Sequence, residues 1–318
     1  MLNFVIQKLV STVIVAILII TFLSLLVHFV PGDPATIILG PRATPEMAAR
    51  VTAAMDLDKS PLMQTVSFFG RLLRGDLGTD VFTGRPIAQV VGQVLPHTII
   101  LALSSLLLAA LAGIPLGVLS AVRPGSWTDR ILSFVSVTMV TIPPYISGLL
   151  LLMLFSGALR WLPTYGLGDT GNLLDYLKHL ILPTVVLALT WIGYIARLVR
   201  GNLLEVLSQD HIRAARAQGI SERTILYRYA LRNALIPTIA ILGVALGGLM
   251  AGAVFVEIIF SRPGLGTLIT DAIQGRNFPV VRVATLAAAL LFVIANFIAD
   301  IANAALDPRI KLSGKGSA

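Results

Sequence analysis

Long apolar segments separated by polar stretches dominate the pattern of hydrophobic and polar positions along the chain. A helix advances about 1.5 Å per residue, so about 20 apolar residues are needed to cross a hydrocarbon core of about 30 Å. Six segments are long enough, and each is continuously apolar, whereas a strand of a membrane barrel would alternate. The pattern therefore predicts six transmembrane helices, over residues 9–30, 98–122, 131–159, 180–199, 235–260 and 280–306.

Composition agrees with this pattern. Of the 318 residues, 56% are hydrophobic and 13% are charged, whereas about 25% are charged in ordinary soluble domains, and the mean hydropathy is +0.87. The first apolar segment is longer than the core of a signal peptide, which has about 7 to 15 residues, and no small-residue cleavage site follows it. We interpret it as a retained anchor and predict an all-α integral membrane protein.

Basic residues beside the apolar segments predict the orientation of the chain. With the amino terminus in the cytoplasm, thirteen Lys and Arg residues fall on the cytoplasmic side and five fall in or beside the two short outer loops. Residues 31–97 are left out of this count, because a loop of more than about 60 residues is translocated largely regardless of its charge. Both termini are therefore predicted to be cytoplasmic.

Residues 31–97 contain helix signals of their own and are predicted to form a helical extracytoplasmic subdomain. Thr44 and Ser60 are each followed by proline, which is typical of an N-cap before the first helical residue, and the second helix should end at Gly75. An apolar stripe on that second helix would suit a structural cap and an interface with an external partner equally well. The stripe consists of Leu62, Val66, Phe69 and Leu73.

The cytoplasmic loop of residues 200–234 is the second elaborate connection. Residues 209–218 are typical of a short helix with exposed small side chains, Gly219 is a helix-ending residue, and Ser221 with Glu222 begins a further helix. Small side chains on an exposed helix let another backbone come close, which suits a docking surface. The alternative is a basic juxtamembrane helix attracted to anionic lipid headgroups, and composition alone favours that alternative.

Few polar residues lie within the predicted spans. Glu257 is near the outer end of the fifth span, and Asp300 is near the inner end of the sixth, one helical turn after Asn296. Ionisable residues in a membrane are functional candidates, because burying a charge in lipid is costly. A proton relay would need carboxylates nearer the middle of the bilayer, so these positions favour structural or assembly roles.

The sequence lacks the motifs of an enzyme. The phosphate-binding motif G-x-x-x-x-G-K-[ST] does not occur, so the chain is not expected to hydrolyse ATP by itself. The four histidines are scattered without an H-E-x-x-H pair, and there is no cysteine and no G-x-S-x-G motif, so we expect no metal site and no catalytic residues. The net charge of +8 arises between the apolar segments rather than on one basic face, which disfavours nucleic acid as a partner.

Seven short motifs occur in order along almost the whole chain. They are PGDP at 31–34, GDLG at 75–78, PHT at 96–98, AARAQG at 214–219, ALRNALIP at 230–237, FSRPGLG at 260–266 and LDPR at 306–309. Together they resemble the B-type permease subunits of bacterial ATP-binding cassette (ABC) importers for dipeptides, oligopeptides and nickel. Their occurrence together is far more specific than any one of them.

The resemblance implies a type I ABC importer permease fold in the bacterial plasma membrane. The expected partners are a second permease subunit, two ATPase subunits, an extracytoplasmic solute-binding protein and the lipid bilayer. ATP and Mg²⁺ would be bound by the ATPase subunits, with no cofactor bound by this chain. The expected cargo is a di- or oligopeptide, with a nickel chelate or another small solute as the alternative. The chain would divide into residues 1–30 (tail and first span), 31–97 (outer subdomain), 98–306 (permease core) and 307–318 (cytoplasmic tail).

The resemblance also implies roles for particular residues. The helix ending at Gly219 is similar to the family's coupling helix, which docks on an ATPase subunit, and this reverses the preference for a lipid-facing helix. Compared with the general importer motif E-A-A-x-x-x-G-x9-I-x-L-P, Arg213 replaces glutamate, Tyr229 replaces isoleucine and Arg232 replaces proline. The expected coupling residues are Arg213, Ala214, Ala215, Arg216, Ala217, Gln218 and Gly219, and the expected gate or binding-protein contacts are Asp33, Gly75, Asp76, Gly78, Pro263, Gly264 and Gly266.

Two other classes of protein remain as rivals. An autonomous secondary carrier or channel would move solute when the purified chain alone is placed in liposomes without ATP. An intramembrane enzyme would need an acid, base, nucleophile or metal constellation, and the predicted spans contain none that is recognisable.

Overall fold

The computed structural model describes residues 2–29, 39 and 44–306, and these residues are predominantly helical. Among them there is no strand, only an isolated antiparallel bridge between Thr79 and Pro86, which confirms the all-α prediction. Two of the helices contain a π-helical turn, one over Leu152–Ala158 and the other over Ile225–Ala230. In chain order the helices are α1 (Leu2–Phe29), α2 (Pro45–Ala54), α3 (Pro61–Leu73), α4 (Ile87–Val122), α5 (Trp127–Thr141), α6 (Pro144–Ala158), α7 (Leu173–Leu207), α8 (Asp210–Ala217), α9 (Glu222–Ile259), α10 (Leu265–Gln274) and α11 (Phe278–Leu306).

Five of these helices are long and apolar enough to cross a membrane, namely α1, α4, α7, α9 and α11. The remaining predicted span is a pair of helices, α5 and α6, bent by 105°. Pro143 and Pro144 explain the bend, because proline lacks the N–H that a helix needs and disfavours helical backbone at the preceding residue. Ile142 is accordingly extended, with φ −76° and ψ 119°. The chain therefore has six candidate spans when the bent pair is counted as one.

The fourth helix extends well beyond its predicted start. α4 begins at Ile87, whereas the apolar pattern predicted a start at residue 98. Ile87 and Val91 are buried, with 0% and 8% of their surface exposed, so this first part of the helix is stabilised by tertiary packing rather than by continuous hydrophobicity. Polar residues interrupt this segment, so a prediction that requires a continuously apolar stretch of membrane length does not include it.

The described residues form two compact units. The chain up to Thr98 and the segment Pro263–Val293 form the first unit, whereas Ile99–Arg262 and the residues after Val293 form the second. In the first unit, α1, α3, the start of α4, α10 and the start of α11 share one hydrophobic core. Its fully or nearly fully buried members include Ile20, Ile87, Leu265, Val280 and Ala284.

The helix signals predicted outside the membrane are confirmed. The Thr44 hydroxyl accepts a hydrogen bond from the Met47 N–H (3.3 Å) at the start of α2. The Ser60 hydroxyl accepts one from the Met63 N–H (3.4 Å) at the start of α3. Gly75, two residues after the end of α3, has a φ of +76°, a conformation that glycine adopts without steric cost.

The apolar stripe of α3 points mostly away from the unit that carries it. Leu62, Val66 and Leu73 are 70%, 66% and 88% exposed. The opposite face is buried instead, through Phe68 and the polar Gln64, whose side-chain amide donates to the Lys59 carbonyl (3.2 Å). Phe69, the fourth stripe residue, packs against the core of the first unit, so the stripe is covered by the described part of the chain at this one position only. The three exposed positions favour the alternative of an interface with an external partner.

In the second unit, α7 packs against α4, α5 and α9 through close backbone approaches. A Cβ atom added at Gly113 of α4 would lie 2.9 Å from the Cβ of Ile195, and one added at Gly117 would lie 2.6 Å from the Ala196 carbonyl oxygen. Lipid gives no hydrophobic reward for helix association, so such small-residue contacts stabilise a bundle by van der Waals packing.

Candidate functional site

The predicted coupling segment forms α8 followed by a glycine turn. α8 covers Asp210–Ala217, and Gly219 has a φ of +76°. The Gly219 N–H donates to the Arg216 carbonyl (3.0 Å), and the Ile220 N–H donates to the Ala215 carbonyl (3.2 Å). The chain therefore reverses in a few residues before the next helix, and a side chain at Gly219 would strain this turn.

One face of α8 is anchored in the core of the second unit. Ile212 and Ala215 are 0% and 6% exposed and belong to a cluster with buried residues of α7 and α9, such as Leu203 and Ile225. Ala215 therefore fixes the helix in place rather than presenting a surface. The other predicted coupling residues are all exposed: Arg213, Ala214, Arg216, Ala217, Gln218 and Gly219. The exposed face thus combines small side chains with two arginines, and another backbone can approach it closely.

An ion pair bridges the glycine turn. Arg216 donates from Nε to Oε1 of Glu222 at 2.8 Å and from Nη2 to Oε2 at 3.3 Å. The hydrogen bond with the Glu222 carboxylate raises the pKa of the Arg216 guanidinium. Both side chains are largely exposed, and exposed pairs contribute about 0–1 kcal/mol to stability. The pair therefore matters for the geometry of the turn between α8 and α9 more than for stability.

A second ion pair, which was not predicted from the sequence, joins α5 to α7. Asp129, in the first turn of α5 and 4% exposed, accepts two hydrogen bonds from Arg200 of α7, at 2.7 and 2.8 Å. The Ser120 hydroxyl (2.5 Å) and the Gly125 N–H (2.8 Å) also donate to this carboxylate. The carboxylate thus ties the α4–α5 turn to α7, seven residues before α7 ends.

The intramembrane carboxylate Glu257 belongs to a polar cluster at the end of α9. Glu257 and Arg262 are both completely buried, and the Glu257 charge favours the charged form of Arg262. Arg262 donates from Nη2 to the Tyr176 hydroxyl (3.0 Å), and its guanidinium carbon lies 5.2 Å from the centre of the Tyr176 ring. Burial nevertheless lowers the pKa of Arg262. The other predicted intramembrane polar residues, Asn296 and Asp300, are half-buried one turn apart on α11.

Three predicted outer residues lie in a tight loop of the first unit. Gly75 and Gly78 have φ values of +76° and +79°, and the Asp76 carboxylate accepts from the Gly78 N–H (2.9 Å). The Gly78 carbonyl accepts from the Ile87 N–H (3.0 Å), which closes the loop. These contacts explain the two glycines as conformational requirements and give Asp76 a structural role within the loop.

Asp80 holds this loop against the turn before α11. Its carboxylate accepts from the Phe82 N–H (2.9 Å), the Thr83 hydroxyl (2.8 Å) and the Asn277 amide (2.6 Å). Burial by itself would raise the pKa of Asp80, but these hydrogen bonds outweigh it and hold the pKa below its usual value.

The remaining outer candidates lie at the start of α10. Pro263 is exposed, whereas Gly264 and Gly266 are buried. The Leu265 N–H donates to the Thr98 hydroxyl (2.8 Å), which connects this segment to the motif around residue 98 within the first unit. Asp33 and the motifs at 31–34 and 307–309 lie outside the described residues.

Comparison with known proteins decides the family. Residues 113–312 match the family model described as "Binding-protein-dependent transport system inner membrane component", and residues 1–102 match the model of its N-terminal part. The chain belongs to this family. The permease is 37% identical to a probable peptide ABC transporter permease protein, y4tP, of Sinorhizobium fredii, over 97% of this chain and 99% of that protein. It is 39% identical to the oligopeptide transport system permease protein AppB of Bacillus subtilis, over 92% and 94% of the two chains.

A solved structure supports the fold of the permease. A chain of the MetNI methionine ABC transporter superposes with a TM-score of 0.58 at 21% identity, covering 70% of the permease and 98% of that chain. This likeness confirms the type I importer fold predicted from the motifs. As a member of this family, the permease is a multi-pass membrane subunit that works with a partner permease, ATPase and binding protein and is not itself the ATPase.

Metal chemistry has no visible site in the described part of the permease. No group of three or more His, Asp or Glu residues there is arranged to hold a metal ion.

The residues that sequence reasoning missed are Asp129 and the buried arginines Arg262 and Arg282. Of these three, only Asp129 has a local signal in the sequence. It lies three residues after Ser126, the N-cap residue of α5.

Proposed function

We propose that this permease forms half of the translocation path of an ATP-driven importer for peptides and that α8 is the surface through which an ATPase subunit moves it. The exposed small residues of α8, held in place by the buried Ile212 and Ala215, carry this proposal. An anchored helix whose exposed face carries small side chains can fit closely into a docking cleft on another protein.

The anchoring of α8 supports a mechanical role. Ile212 packs in one cluster with Leu203 of α7 and Ile225 of α9, so a displacement of α8 is transmitted to two membrane spans. Closure of two ATPase subunits on ATP and Mg²⁺ would move α8 and its counterpart on a second permease. The path would then open alternately to a loaded solute-binding protein and to the cytoplasm. This chain would bind no cofactor of its own.

The orientation and the cargo are part of the same proposal. The excess of Lys and Arg beside α8 supports cytoplasmic termini in a bacterial plasma membrane, with the subdomain of α2 and α3 on the outer side. Di- or oligopeptides are supported as cargo by the names of the relatives y4tP and AppB. A nickel chelate is the alternative cargo, and competition between a labelled dipeptide and a nickel chelate for uptake distinguishes the two.

The docking role is tested with Ala217→Trp in the intact complex, reconstituted in proteoliposomes with its solute-binding protein. Ala217 is exposed, so the indole disturbs no packing within this chain but blocks close approach of a partner. ATP-dependent uptake of labelled dialanine should fall at least about tenfold, which corresponds to a lost contact of about 1.4 kcal/mol. Ala88→Trp, at an exposed alanine on α4, is the matched control and should leave uptake unchanged.

Two results would contradict the proposal. Normal uptake and normal ATP hydrolysis by the Ala217→Trp complex would show that no partner docks closely on α8. Uptake by the purified permease alone, without ATP and partners, would instead support an autonomous carrier.

A further inference from the structure

The first unit contains a cavity of roughly 200 Å³ between the loop after α3 and the first turn of α11. Its walls include Arg71, Asp76 and Thr79 from the α3 side and Pro279 and Arg282 from the α11 side. None of the family motifs assigns a role to Arg71 or Arg282. Both are cations that face the same small space.

Arg282 is buried with few interactions. It is 2% exposed, and its Nη2 donates to the amide oxygen of Gln64, which is itself 0% exposed. Its Nε has no hydrogen-bond partner, and no carboxylate lies within ion-pair distance of it in the part of the chain that the structure describes, although the charge of Asp56 acts on it from farther away. A buried guanidinium with no carboxylate in direct contact is costly, so its position in an otherwise apolar helix favours an anionic partner.

The nearest buried carboxylate is already engaged by other cations. Asp56, 3% exposed, accepts from Lys59 Nζ at 2.6 Å and from Arg71 Nη2 at 2.5 Å. The second carboxylate, Asp76, accepts from the Gly78 backbone N–H. The cavity wall itself therefore carries two cations, Arg71 and Arg282, and one carboxylate, Asp76.

We propose that this cavity binds a carboxylate group, with Arg282 as its main donor and Arg71 as a second cation. A guanidinium presents donors in a planar fork that matches a carboxylate. The N-terminal end of α11, where Pro279 lines the wall, adds a favourable dipole for an anion. Drug-sized ligands occupy about 300–1,000 Å³, so the smaller cavity suits a carboxylate with a few attached atoms rather than a whole oligopeptide.

The inference rests on the proposed function for the source of the carboxylate. On the outer side of the membrane it comes either from the carboxyl terminus of a free peptide or from an acidic side chain of the solute-binding protein. The chemistry at Arg282 is the same in both cases, and two binding measurements on the intact complex separate them.

The first measurement uses the complex in lipid nanodiscs without the binding protein. Dialanine and its C-terminal amide are titrated by calorimetry. If the free peptide supplies the carboxylate, dialanine binds at least about tenfold tighter than the amide, as expected for a charge-assisted hydrogen bond, and Arg282→Gln removes the difference. Arg74→Gln, at an exposed arginine on the same segment outside the cavity wall, should preserve it.

The second measurement is the affinity of the binding protein for the complex at several salt concentrations. If the binding protein supplies the carboxylate, Arg282→Gln weakens this affinity at least about tenfold and reduces its salt dependence, while the first measurement shows no preference for the acid. Arg74→Gln should again behave as the wild type.

A second variant keeps the test decisive if Arg282→Gln disturbs folding. Thr79→Trp places a bulky side chain at the cavity, leaves Arg282 itself unchanged and should produce the same loss. Carboxylate recognition is overturned if well-folded Arg282→Gln and Thr79→Trp complexes match the wild type in both measurements. Uptake is measured separately, with the wild-type complex and its solute-binding protein in proteoliposomes: ATP-driven uptake there leaves the proposed function intact whatever the binding measurements give, whereas its absence overturns the proposed function instead.

Discussion

Arg200 grips the carboxylate of Asp129 with two hydrogen bonds, from Nε to Oδ1 at 2.7 Å and from Nη2 to Oδ2 at 2.8 Å. The two side chains differ in burial, because 5% of the Asp129 side chain but 32% of the Arg200 side chain is exposed. Because of this asymmetry, leaving one residue unpaired does not cost the same as leaving the other unpaired. Arg200 without Asp129 can turn towards polar surroundings, whereas Asp129 without Arg200 stays buried with its charge.

Removing Arg200 is therefore expected to cost more stability than removing Asp129. Arg200→Gln should lower the free energy of unfolding by about 3 kcal/mol, because it leaves a buried carboxylate without its counter-charge. Asp129→Asn should lower it by only about 1–2 kcal/mol, the usual cost of lost hydrogen bonds to a charged group. Thermal or denaturant unfolding of the purified complex measures both.

The control for this pair is Asp58→Asn, at an exposed aspartate of the first unit, which should leave stability unchanged. The double variant Arg200→Gln with Asp129→Asn should recover part of the loss, because neither residue then carries an unpaired charge. Equal destabilisation by the two single variants, or a strictly additive double variant, would contradict the asymmetry.

Two glycines of α7 should respond in opposite directions to alanine. A Cβ at Gly193 would collide with the Ser136 carbonyl oxygen of α5 and lie 3.0 Å from the Met139 Cβ, whereas one at Gly201 would meet nothing within 4 Å. Gly193→Ala should therefore destabilise the permease by about 1–3 kcal/mol through overpacking. Gly201→Ala should raise stability by up to about 1 kcal/mol, because alanine is the better helix former. A rise of the melting temperature for both variants would show that α5 does not pack closely on α7, and a fall for both would contradict the open space at Gly201.

The features that sequence predicted are those with local causes. The caps at Thr44 and Ser60 and the turn at Gly219 depend on side chains within three or four residues of the backbone groups that they serve. The spans depend on continuous hydrophobicity alone. The bend between α5 and α6 also has a local cause, the pair Pro143 and Pro144, and its signal is outweighed by the apolar residues on both sides.

The features that sequence did not predict depend on distant partners. Arg262 meets Tyr176 across 86 positions of sequence, and Arg282 meets Gln64 across 218. Either arginine, considered alone, is a loop or helix-end cation that contributes to an orientation count. Only the folded chain shows that both are buried, and one sequence contains no record of which residues come together. The inward-facing Ala215 illustrates the same limit, because composition could not separate it from the exposed Ala214 and Ala217.

The stabilising effect of Asp80 should depend on pH. Hydrogen bonds from Thr83, Phe82 and Asn277 hold its pKa below the usual value, so the folded protein binds a proton there less readily than the unfolded chain does. The stabilisation is therefore complete above the unfolded pKa of about 3.9 and is lost as the pH falls through the lower folded value.

Asp80→Asn should accordingly lower the melting temperature of the complex by a constant amount between about pH 7 and pH 5, and the difference from the wild type should narrow only below about pH 4. Asp58→Asn, at an exposed aspartate, again serves as the control for the loss of one carboxylate. A gap that instead widened on acidification would show that the Asp80 carboxylate is destabilised by folding.

The Arg216–Glu222 pair should affect the efficiency of transport without affecting stability. The ion pair joins the two sides of the turn between α8 and α9, and both side chains are exposed. Glu222→Ala should therefore change the free energy of unfolding by less than about 1 kcal/mol. If α8 is the docking surface, the same variant should lower the number of peptides transported per ATP hydrolysed, because a loosened turn transmits less of the movement of α8.

The exchange Arg216→Glu with Glu222→Arg restores the pair in reverse and should recover part of that ratio. Arg223→Gln is the matched control, since this exposed arginine in the first turn of α9 lies outside α8 and takes no part in the Arg216–Glu222 pair. A reduced ratio in Glu222→Ala that the exchange fails to improve would assign the effect to a direct contact of Glu222 with the ATPase.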